Sequence, residues 1–247
     1  MTNMFHVIIP ARYHSSRLPG KLLMDINGVS VLERVWRQAV KAAPLSVIIA
    51  TDSIEIAEHA QRFGADICMT RADHPSGTDR IAEVVKKRPY LENSVIVNVQ
   101  GDEPFIDPCL IQQVAEVLVR SKASVATLCW PIDSLEQLNN PNVVKVVFNR
   151  HYQAMYFSRS PIPFHRDVPD IYTDCWRHIG LYAYQGLFLT QWNTLSVCSI
   201  EQHECLEQLR VLWSGYSIAI EPAQIFPLQD INTHDDLLKA RQFSEVE

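Results

Sequence analysis

The sequence predicts an α/β protein with a mostly parallel sheet and helices on both faces. Short apolar runs rich in β-forming residues alternate with segments of helical periodicity through the first half of the 247-residue chain. The chain is long enough to bury a substantial core. Its 47% hydrophobic and 20% charged residues are typical of an ordinary globular protein.

The individual elements follow from these patterns. Strands are predicted at residues 5–10, 46–50, 94–99 and 124–128. The first helix shows apolar residues at i, i+3, i+4 and i+7, namely Leu32, Val35, Trp36 and Ala39. Two further helices are predicted at residues 78–86 and 108–120, and Pro108 suits the first position of the second of these.

The pattern changes after residue 140. Strands are predicted at 143–148, 153–157 and 179–184, with a loop rich in Pro, Asp and Arg at 160–176. This block resembles an inserted β-rich substrate lobe at about 150–200 within a single domain, 1–247. A helix at 200–213, a strand at 217–220 and a closing helix after Thr233 complete the chain.

Composition excludes several classes of protein. The net charge of −6 gives no general attraction for nucleic acid. No apolar run approaches the roughly 18 residues of a membrane span, and the amino terminus lacks the features of a signal peptide. We therefore expect a cytoplasmic protein with neither nucleic-acid nor membrane partners. The six cysteines form no Cys-x-x-Cys pair and are expected to be reduced.

The loop after the first predicted strand carries the strongest functional signal. Arg12, Arg17 and Lys21 follow a buried strand at the edge where open α/β sheets bind ligands. These side chains only donate hydrogen bonds, and Gly20 allows close approach of the backbone, so a polyphosphate is the expected ligand. The spacing matches neither the Walker loop nor the dinucleotide fingerprint. A solvated surface turn is the alternative.

A second polar segment, Ser76-Gly77-Thr78-Asp79-Arg80, lies at a predicted helix start. Small hydroxyl residues, a glycine and free helix-end N–H groups can bind a polar ring or a phosphate, and Arg80 adds a charge. The alternative is that Thr78 is a plain N-cap.

Carboxylates after another buried strand indicate a metal site. In Gln100-Gly101-Asp102-Glu103-Pro104, Asp102 is the first candidate ligand for Mg²⁺ bound together with phosphates; an exposed turn is the alternative. A second oxygen ligand is expected from Asp230 or Asn232, before the helix that Thr233 is expected to cap.

The second half of the chain places polar residues within otherwise apolar patterns. Each of them alone is more typical of a structural residue. Together, Arg159, His178, Glu207 and Gln208 suit a polyhydroxylated acid, with a cation for its carboxylate and the other groups for its hydroxyls.

Six motifs in order resemble one family over almost the whole chain. They are Ile-Pro-Ala-Arg followed by Arg-Leu-Pro-Gly-Lys, Ser-Gly-Thr-Asp-Arg, Val-Gln-Gly-Asp-Glu-Pro, Tyr-Phe-Ser-Arg, Arg-His-Ile-Gly-Leu-Tyr and Leu-Glu-Gln-Leu-Arg. Together they closely resemble the 3-deoxy-manno-octulosonate (Kdo) cytidylyltransferases, or CMP-Kdo synthetases, of Gram-negative lipopolysaccharide biosynthesis. The first motif is shared with CMP-sialic acid synthetases, whereas the later motifs indicate Kdo.

The resemblance implies a three-layer α/β/α nucleotide-diphospho-sugar transferase fold, Rossmann-like, whose inserted lobe completes the sugar pocket and forms a homodimer. It implies Mg²⁺-dependent transfer of CMP from CTP to Kdo. The implied triphosphate ligands are Arg12, Arg17 and Lys21, which with Asp102 form the implied catalytic set. The cytidine contacts would be Ser76, Gly77 and Arg80. The Kdo site would be lined by Gln100, Arg159, His178, Tyr182, Glu207 and Gln208.

One position departs from the family pattern. The family usually reads Gly-Val-Asp-Thr-Pro-Glu-Asp-Leu before the last helix and uses its first Asp as the second metal ligand. In this chain Asn232 falls on that position and supplies no charge, so Asp230 is the alternative ligand. The competing functions are a cytidylyltransferase for another acidic sugar, such as sialic acid, and a non-catalytic nucleotide-binding protein of the same fold.

Overall fold

A computed structural model of the chain describes residues 4–13, 18–167, 172–228, 230–231 and 233–243. The strands within these ranges are β1 Phe5–Ala11, β2 Asp25–Ile26, β3 Val29–Ser30, β4 Ser46–Thr51, β5 Asp66–Met69, β6 Val95–Asn98, β7 Val125–Pro131, β8 Lys145–Phe148, β9 Ala154–Ser158, β10 Trp176–Gln185 and β11 Ile218–Pro222. The α-helices are α1 Val31–Lys41, α2 Ile54–Arg62, α3 Gly77–Lys87, α4 Pro108–Arg120, α5 Leu135–Asn139, α6 Gly186–Gln191, α7 Ser199–Glu204, α8 Gln208–Trp213 and α9 His234–Phe243.

Nine of these strands form one mixed sheet in which parallel pairs dominate the main path. The order along the sheet is β11-β7-β10-β6-β1-β4-β5, and β8 and β9 form a hairpin beside β10. The strands β6, β1, β4 and β5 are parallel neighbours, as are β7 and β11. Only β10 on the main path runs antiparallel, between β6 and β7. The predicted α/β class with a mostly parallel sheet is confirmed.

The core lies in two layers, one on each face of the sheet. Alternate residues of β1 face opposite layers, with Val7 and Ile9 on one side and Ile8 on the other. The helices α1, α2, α4 and α9 pack on the first face, and α3, α6 and α8 pack on the second. Both faces of the sheet are therefore covered, which produces the three-layer arrangement.

One predicted helix was wrong, and some short strands were not predicted. The helix predicted at 200–213 is two helices, because Cys205 has a left-handed backbone (φ 51°) that ends α7 before α8 begins. The guanidinium of Arg159 donates to the carbonyls of Glu204 and Cys205 at this break. The short edge strand β5 and the β2–β3 hairpin had not been predicted individually.

Gly186 allows β10 to continue directly into α6. A Cβ atom at this position would lie 2.0 Å from the carbonyl oxygen of Leu91. The Gly186 N–H donates to the carbonyl of Ser94 at 2.8 Å. Glycine is therefore required where the chain turns back against the start of β6.

Among the described residues, no helix combines the length and the apolar character needed to cross a bilayer. All six cysteines fall within the described ranges as free thiols, with Cys109 and Cys205 exposed and the other four buried. This agrees with the lack of paired spacing in the sequence.

Candidate active site

The predicted nucleotide and metal residues meet at one edge of the sheet. The parallel strands β1, β4 and β6 end at this edge, so the segments that follow them lie side by side. A Cβ atom on Gly101 would lie 3.1 Å from the carbonyl oxygen of Pro10, and one on Gly77 would lie 3.4 Å from the Pro10 ring. The three loops are thus in close contact around Pro10.

Lys21 joins two of the predicted loops. Its Nζ donates to Asp102 Oδ2 at 2.5 Å and to the carbonyl oxygen of Ile231 at 2.9 Å. The Ile231 N–H donates to the carbonyl oxygen of Asp102 at 2.9 Å. Gly20, with φ 68°, immediately precedes the short 3₁₀ turn that carries Lys21. The phosphate loop, the predicted metal loop and the segment before α9 therefore converge on one ammonium group.

Negative charge accumulates beside Lys21. Burial, followed by the charges of Asp102 and Asp230, raises the pKa of Glu103 to about 8. This excess of carboxylates fits a divalent cation. Within the described ranges, no three His, Cys, Asp or Glu side chains are grouped closely enough to hold a metal ion by themselves. Asp102 and Asp230 are the carboxylates here that could hold Mg²⁺, an ion usually bound by one or two carboxylates plus substrate phosphates.

Two predicted residues of this region, Arg17 and Asn232, lie outside the described residues. Arg12 directly follows β1 and is exposed, and Asp230 is also exposed. The choice between Asp230 and Asn232 as second metal ligand therefore stays a prediction.

The amino-terminal end of α3 corrects the N-cap interpretation of Thr78. The N-cap is Ser76, whose Oγ accepts from the Asp79 N–H at 3.1 Å and donates to the Asp79 carboxylate at 2.5 Å. Thr78 lies inside the helix, and its hydroxyl donates to Glu207 Oε1. The residue therefore connects α3 to the second half of the chain.

Arg80 is fully buried behind this helix end. Its Nη1 donates to Thr70 Oγ1, and its Nη2 lies 3.5 Å from Asp52 Oδ2. Within the described part of the chain, Arg80 Nε and Nη2 and Asp52 Oδ1 have no hydrogen-bond partner. Burial lowers the pKa of Arg80, and the charge of Asp52 opposes that shift. Arg80 is therefore buried behind the start of α3, and its Nε and Nη2 groups lack hydrogen-bond acceptors among the described residues.

A β-bulge brings His178 and Tyr182 together on β10. The pairing of β10 with β7 shifts between Ile179 and Tyr182, and the rings of His178 and Tyr182 lie 5.2 Å apart. Thr127 Oγ1 lies 2.8 Å from the carbonyl oxygen of Leu181 and 3.0 Å from His178 Nε2. The Thr127 hydroxyl has one hydrogen, and it donates this hydrogen to a carbonyl oxygen, which can only accept. His178 Nε2 must therefore be the donor in its hydrogen bond with Thr127 Oγ1.

This environment keeps His178 neutral. Burial lowers its pKa to about 3, and the Phe157 ring packs edge-on against the imidazole at 5.0 Å. With Nε2 donating, Nδ1 is an acceptor. His178 therefore suits hydrogen bonding to a neutral ligand group better than stabilisation of an anion.

The remaining predicted sugar residues lie on β10, at the start of α8 and just after β6. Burial and the neighbouring charges of Tyr184 and Glu207 raise the pKa of Tyr182. Glu207 lies near β10, because Thr78 Oγ1 contacts both Glu207 Oε1 and the Tyr184 hydroxyl. Gln208 is buried beside Glu207 at the start of α8. The Gln100 amide lies 3.4 Å from Asn98 Oδ1 at the end of β6.

Arg159 is engaged elsewhere. Its guanidinium donates to the carbonyl oxygens of Glu204 at 2.6 Å, Pro141 at 2.8 Å and Cys205 at 3.3 Å. These bonds use three of its five N–H groups. Arg159 ties β9 to the α7–α8 break, and its contact with a substrate carboxylate stays a prediction.

The sequence contained signals for two polar residues that had been missed. Asp52 directly follows β4, and Asp102 lies in the loop that follows β6. The rule that predicted Asp102, a polar residue after the end of a buried strand, therefore also indicates Asp52. Thr127 is a fully buried hydroxyl within an apolar strand, and buried polar groups require a partner.

Comparison with known proteins settles the family. A family model described as cytidylyltransferase matches residues 6–220. The chain belongs to the cytidylyltransferase family. Every predicted site residue of this cytidylyltransferase lies within the matched span except Asp230 and Asn232.

Named relatives match over almost their full lengths. The 3-deoxy-manno-octulosonate cytidylyltransferase of Legionella pneumophila (strain Lens) is 62% identical over 243 residues, covering 98% of this chain and 97% of that protein. The enzyme of the same name from Francisella philomiragia is 47% identical, covering 98% of each. A solved structure of CMP:2-keto-3-deoxy-manno-octonic acid synthetase complexed with CTP matches with a TM-score of 0.90 and 38% identity, covering 98% of this chain and 99% of that chain.

Proposed function

We propose that this cytidylyltransferase transfers CMP from CTP to 3-deoxy-D-manno-octulosonate, giving CMP-Kdo and pyrophosphate for lipopolysaccharide biosynthesis. The observation that carries the proposal is the hydrogen bond from Thr78 to Glu207, which joins the predicted cytidine loop to the predicted sugar site. The two substrates then occupy adjoining sites at one edge of the sheet. The shared name of relatives at 62% and 47% identity supports Kdo as the acceptor.

On the nucleotide side, Arg12, Arg17 and Lys21 bind the triphosphate. Lys21 lies at the junction with Asp102, where its charge can offset the negative charge that grows on the α-phosphoryl oxygens during transfer. Ser76 and Gly77 place the amino-terminal end of α3 against the cytidine, and the buried Arg80 supports this end of the helix.

Asp102 would hold Mg²⁺ together with Asp230 or Asn232. When bound, the ion supplies positive charge for the phosphate oxygens. The carboxylates that raise the pKa of Glu103 support this assignment, since they leave local negative charge for a cation to balance.

On the acceptor side, the anomeric hydroxyl of the sugar attacks the α-phosphorus and pyrophosphate leaves in line. Neutral His178 and the Tyr182 hydroxyl bind sugar hydroxyls, as do Gln100, Glu207 and Gln208, and Arg159 binds the carboxylate. We assign His178 a binding role and no proton transfer, because a histidine with a pKa of about 3 is a weak base near neutral pH. Catalysis then depends mainly on positioning and electrostatics.

We further propose a cytoplasmic homodimer whose inserted lobe, at about 150–200, contributes to the contact between subunits. The β8–β9 hairpin lies off the main path of the sheet. Met155 and Tyr152 on this hairpin are exposed apolar side chains, which supports an interface there. Light scattering at several protein concentrations measures the oligomeric state.

Pyrophosphate release tests the activity. The purified protein is given CTP and Mg²⁺ with Kdo, N-acetylneuraminic acid or a hexose 1-phosphate, and we expect release only with Kdo. Equal release with N-acetylneuraminic acid would replace Kdo by a broader class of acidic sugars. Binding of CTP without pyrophosphate release at saturating Kdo and Mg²⁺ would show a non-catalytic protein.

A further inference from the structure

The hydroxyl of Thr78 links the helix of the nucleotide side to the carboxylate of the acceptor side. Thr78 Oγ1 donates to Glu207 Oε1 and also lies 3.4 Å from the Tyr184 hydroxyl. We propose that Thr78 is a positioning residue for the sugar acceptor, which holds the Glu207 carboxylate in its binding orientation. This inference rests on the proposed function, because it takes Glu207 as a sugar ligand.

Thr78 is free for this role because another residue caps the helix. Ser76 provides the N-cap of α3, so the Thr78 hydroxyl is not needed for an unsatisfied main-chain N–H. Thr78 is only 3% exposed. In the structure its hydroxyl points toward Glu207, to which it donates.

The backbone of Glu207 is fixed from the opposite side. The left-handed Cys205 ends α7 two residues before Glu207, and Arg159 holds the carbonyl oxygens of Glu204 and Cys205. Leu206 is buried in the core. These contacts place the main chain, but the direction of the Glu207 carboxylate depends on the Thr78 hydroxyl that reaches it from α3.

The charge of Glu207 depends on the same donor. Burial raises its pKa, while the hydrogen bond from Thr78 lowers it. The other groups facing Glu207 are Asp79 of α3, Tyr182 and Tyr184 of β10 and Arg210 of α8. Asp79 raises the pKa and Arg210 lowers it. Removing the Thr78 hydroxyl therefore favours the protonated acid, which can accept fewer hydrogen bonds from sugar hydroxyls.

Thr78→Val tests the role because it removes the hydroxyl and nearly preserves the shape. We expect the KM for Kdo to rise about tenfold, the effect of losing one hydrogen bond to a charged group. The KM for CTP, and CTP affinity measured by calorimetry without Kdo, should remain close to those of the unmodified enzyme. Thr78→Ser keeps the hydroxyl and should restore most of the Kdo affinity.

Thr190→Val is the matched control, since the Thr190 hydroxyl donates only within its own helix, to the carbonyl oxygen of Leu187 at 2.7 Å. It should behave as the unmodified enzyme. Circular dichroism checks that each variant is folded, and Thr78→Ala is a second hydroxyl-free variant if Thr78→Val is not. The pH profile of kcat/KM for Kdo gives a further test. In the hydroxyl-free variant its acidic limb should move to higher pH, because loss of the Thr78 hydrogen bond raises the pKa of Glu207.

The possible outcomes separate two failures. An unchanged KM for Kdo, an equal rise in the KM for CTP, a Ser variant as impaired as Val, or an unmoved acidic limb would overturn the positioning role. If the unmodified enzyme releases no pyrophosphate from CTP and Kdo, the proposed function itself is wrong.

Discussion

Replacement of Arg210 by methionine should lower the free energy of unfolding by about 3 kcal/mol. Arg210 and Glu201 are both buried, and their three hydrogen bonds measure 2.5, 2.9 and 3.2 Å. The guanidinium also lies over the Trp192 ring, 4.7 Å from its centroid. Methionine keeps much of the packing on Trp192 but leaves the Glu201 carboxylate without its cation.

The magnitude follows from what remains around Glu201. Breaking a buried ion pair by removing one partner costs about 3–5 kcal/mol. Glu201 still accepts from the Cys198 N–H, at 3.4 Å, which favours the lower end of this range. Loss of the cation–π contact adds roughly 0.5–1 kcal/mol, and the retained packing of the methionine stem offsets it.

Urea unfolding at a fixed protein concentration measures the effect, because any dimer would make stability depend on concentration. Arg120→Met is the matched control: Arg120 pairs with Glu221 at 3.1 Å, but its side chain is 59% exposed. That variant should lose under about 1 kcal/mol. The double variant Glu201→Gln, Arg210→Met should be less destabilised than the sum of its single variants. Equal losses for Arg210→Met and Arg120→Met would refute the reasoning.

Three other variants test the site and its support. Lys21→Met should reduce kcat for pyrophosphate release about a hundredfold, as expected for loss of a transition-state donor; an unchanged kcat removes Lys21 from the mechanism. Asp102→Asn should steeply raise the Mg²⁺ concentration needed for half-maximal activity, and an unaltered titration would exclude Asp102 as a ligand. Burial alone would raise the pKa of Glu83, but hydrogen bonds from Lys87, His74 and a main-chain N–H bring it from 4.5 to about 2. Its stabilisation is therefore present above about pH 4.5 and is lost as pH falls toward 2. Glu83→Gln should flatten the dependence of Tm on pH in this window, and an unchanged slope would contradict the assignment.

The parts of the site that the sequence predicts best depend on local rules. A buried strand followed by polar residues places Arg12 and Asp102 at the same edge of a parallel sheet, whatever the order of the other strands. The capping role of Thr233 was predicted from the sequence, and the structure contains it: the Asp236 N–H donates to Thr233 Oγ1 at 3.2 Å.

The remaining features depend on contacts between distant segments. No glycine marks the helix break at Cys205, which is held by Arg159 from another element. The β-bulge that places His178 beside Tyr182 depends on the Thr127 hydroxyl of the neighbouring strand. Periodicity along one segment carries no information about such partners.

The central position of β10 also has a consequence for folding during synthesis. Until Trp176–Gln185 leaves the ribosome, the facing edges of β6 and β7 have no strand between them. Exposed edges promote pairing with other chains, and sheets closed by distant segments fold slowly. Nascent chains that end before residue 176 will therefore be prone to aggregation and depend on chaperones, although they already contain the whole phosphate loop.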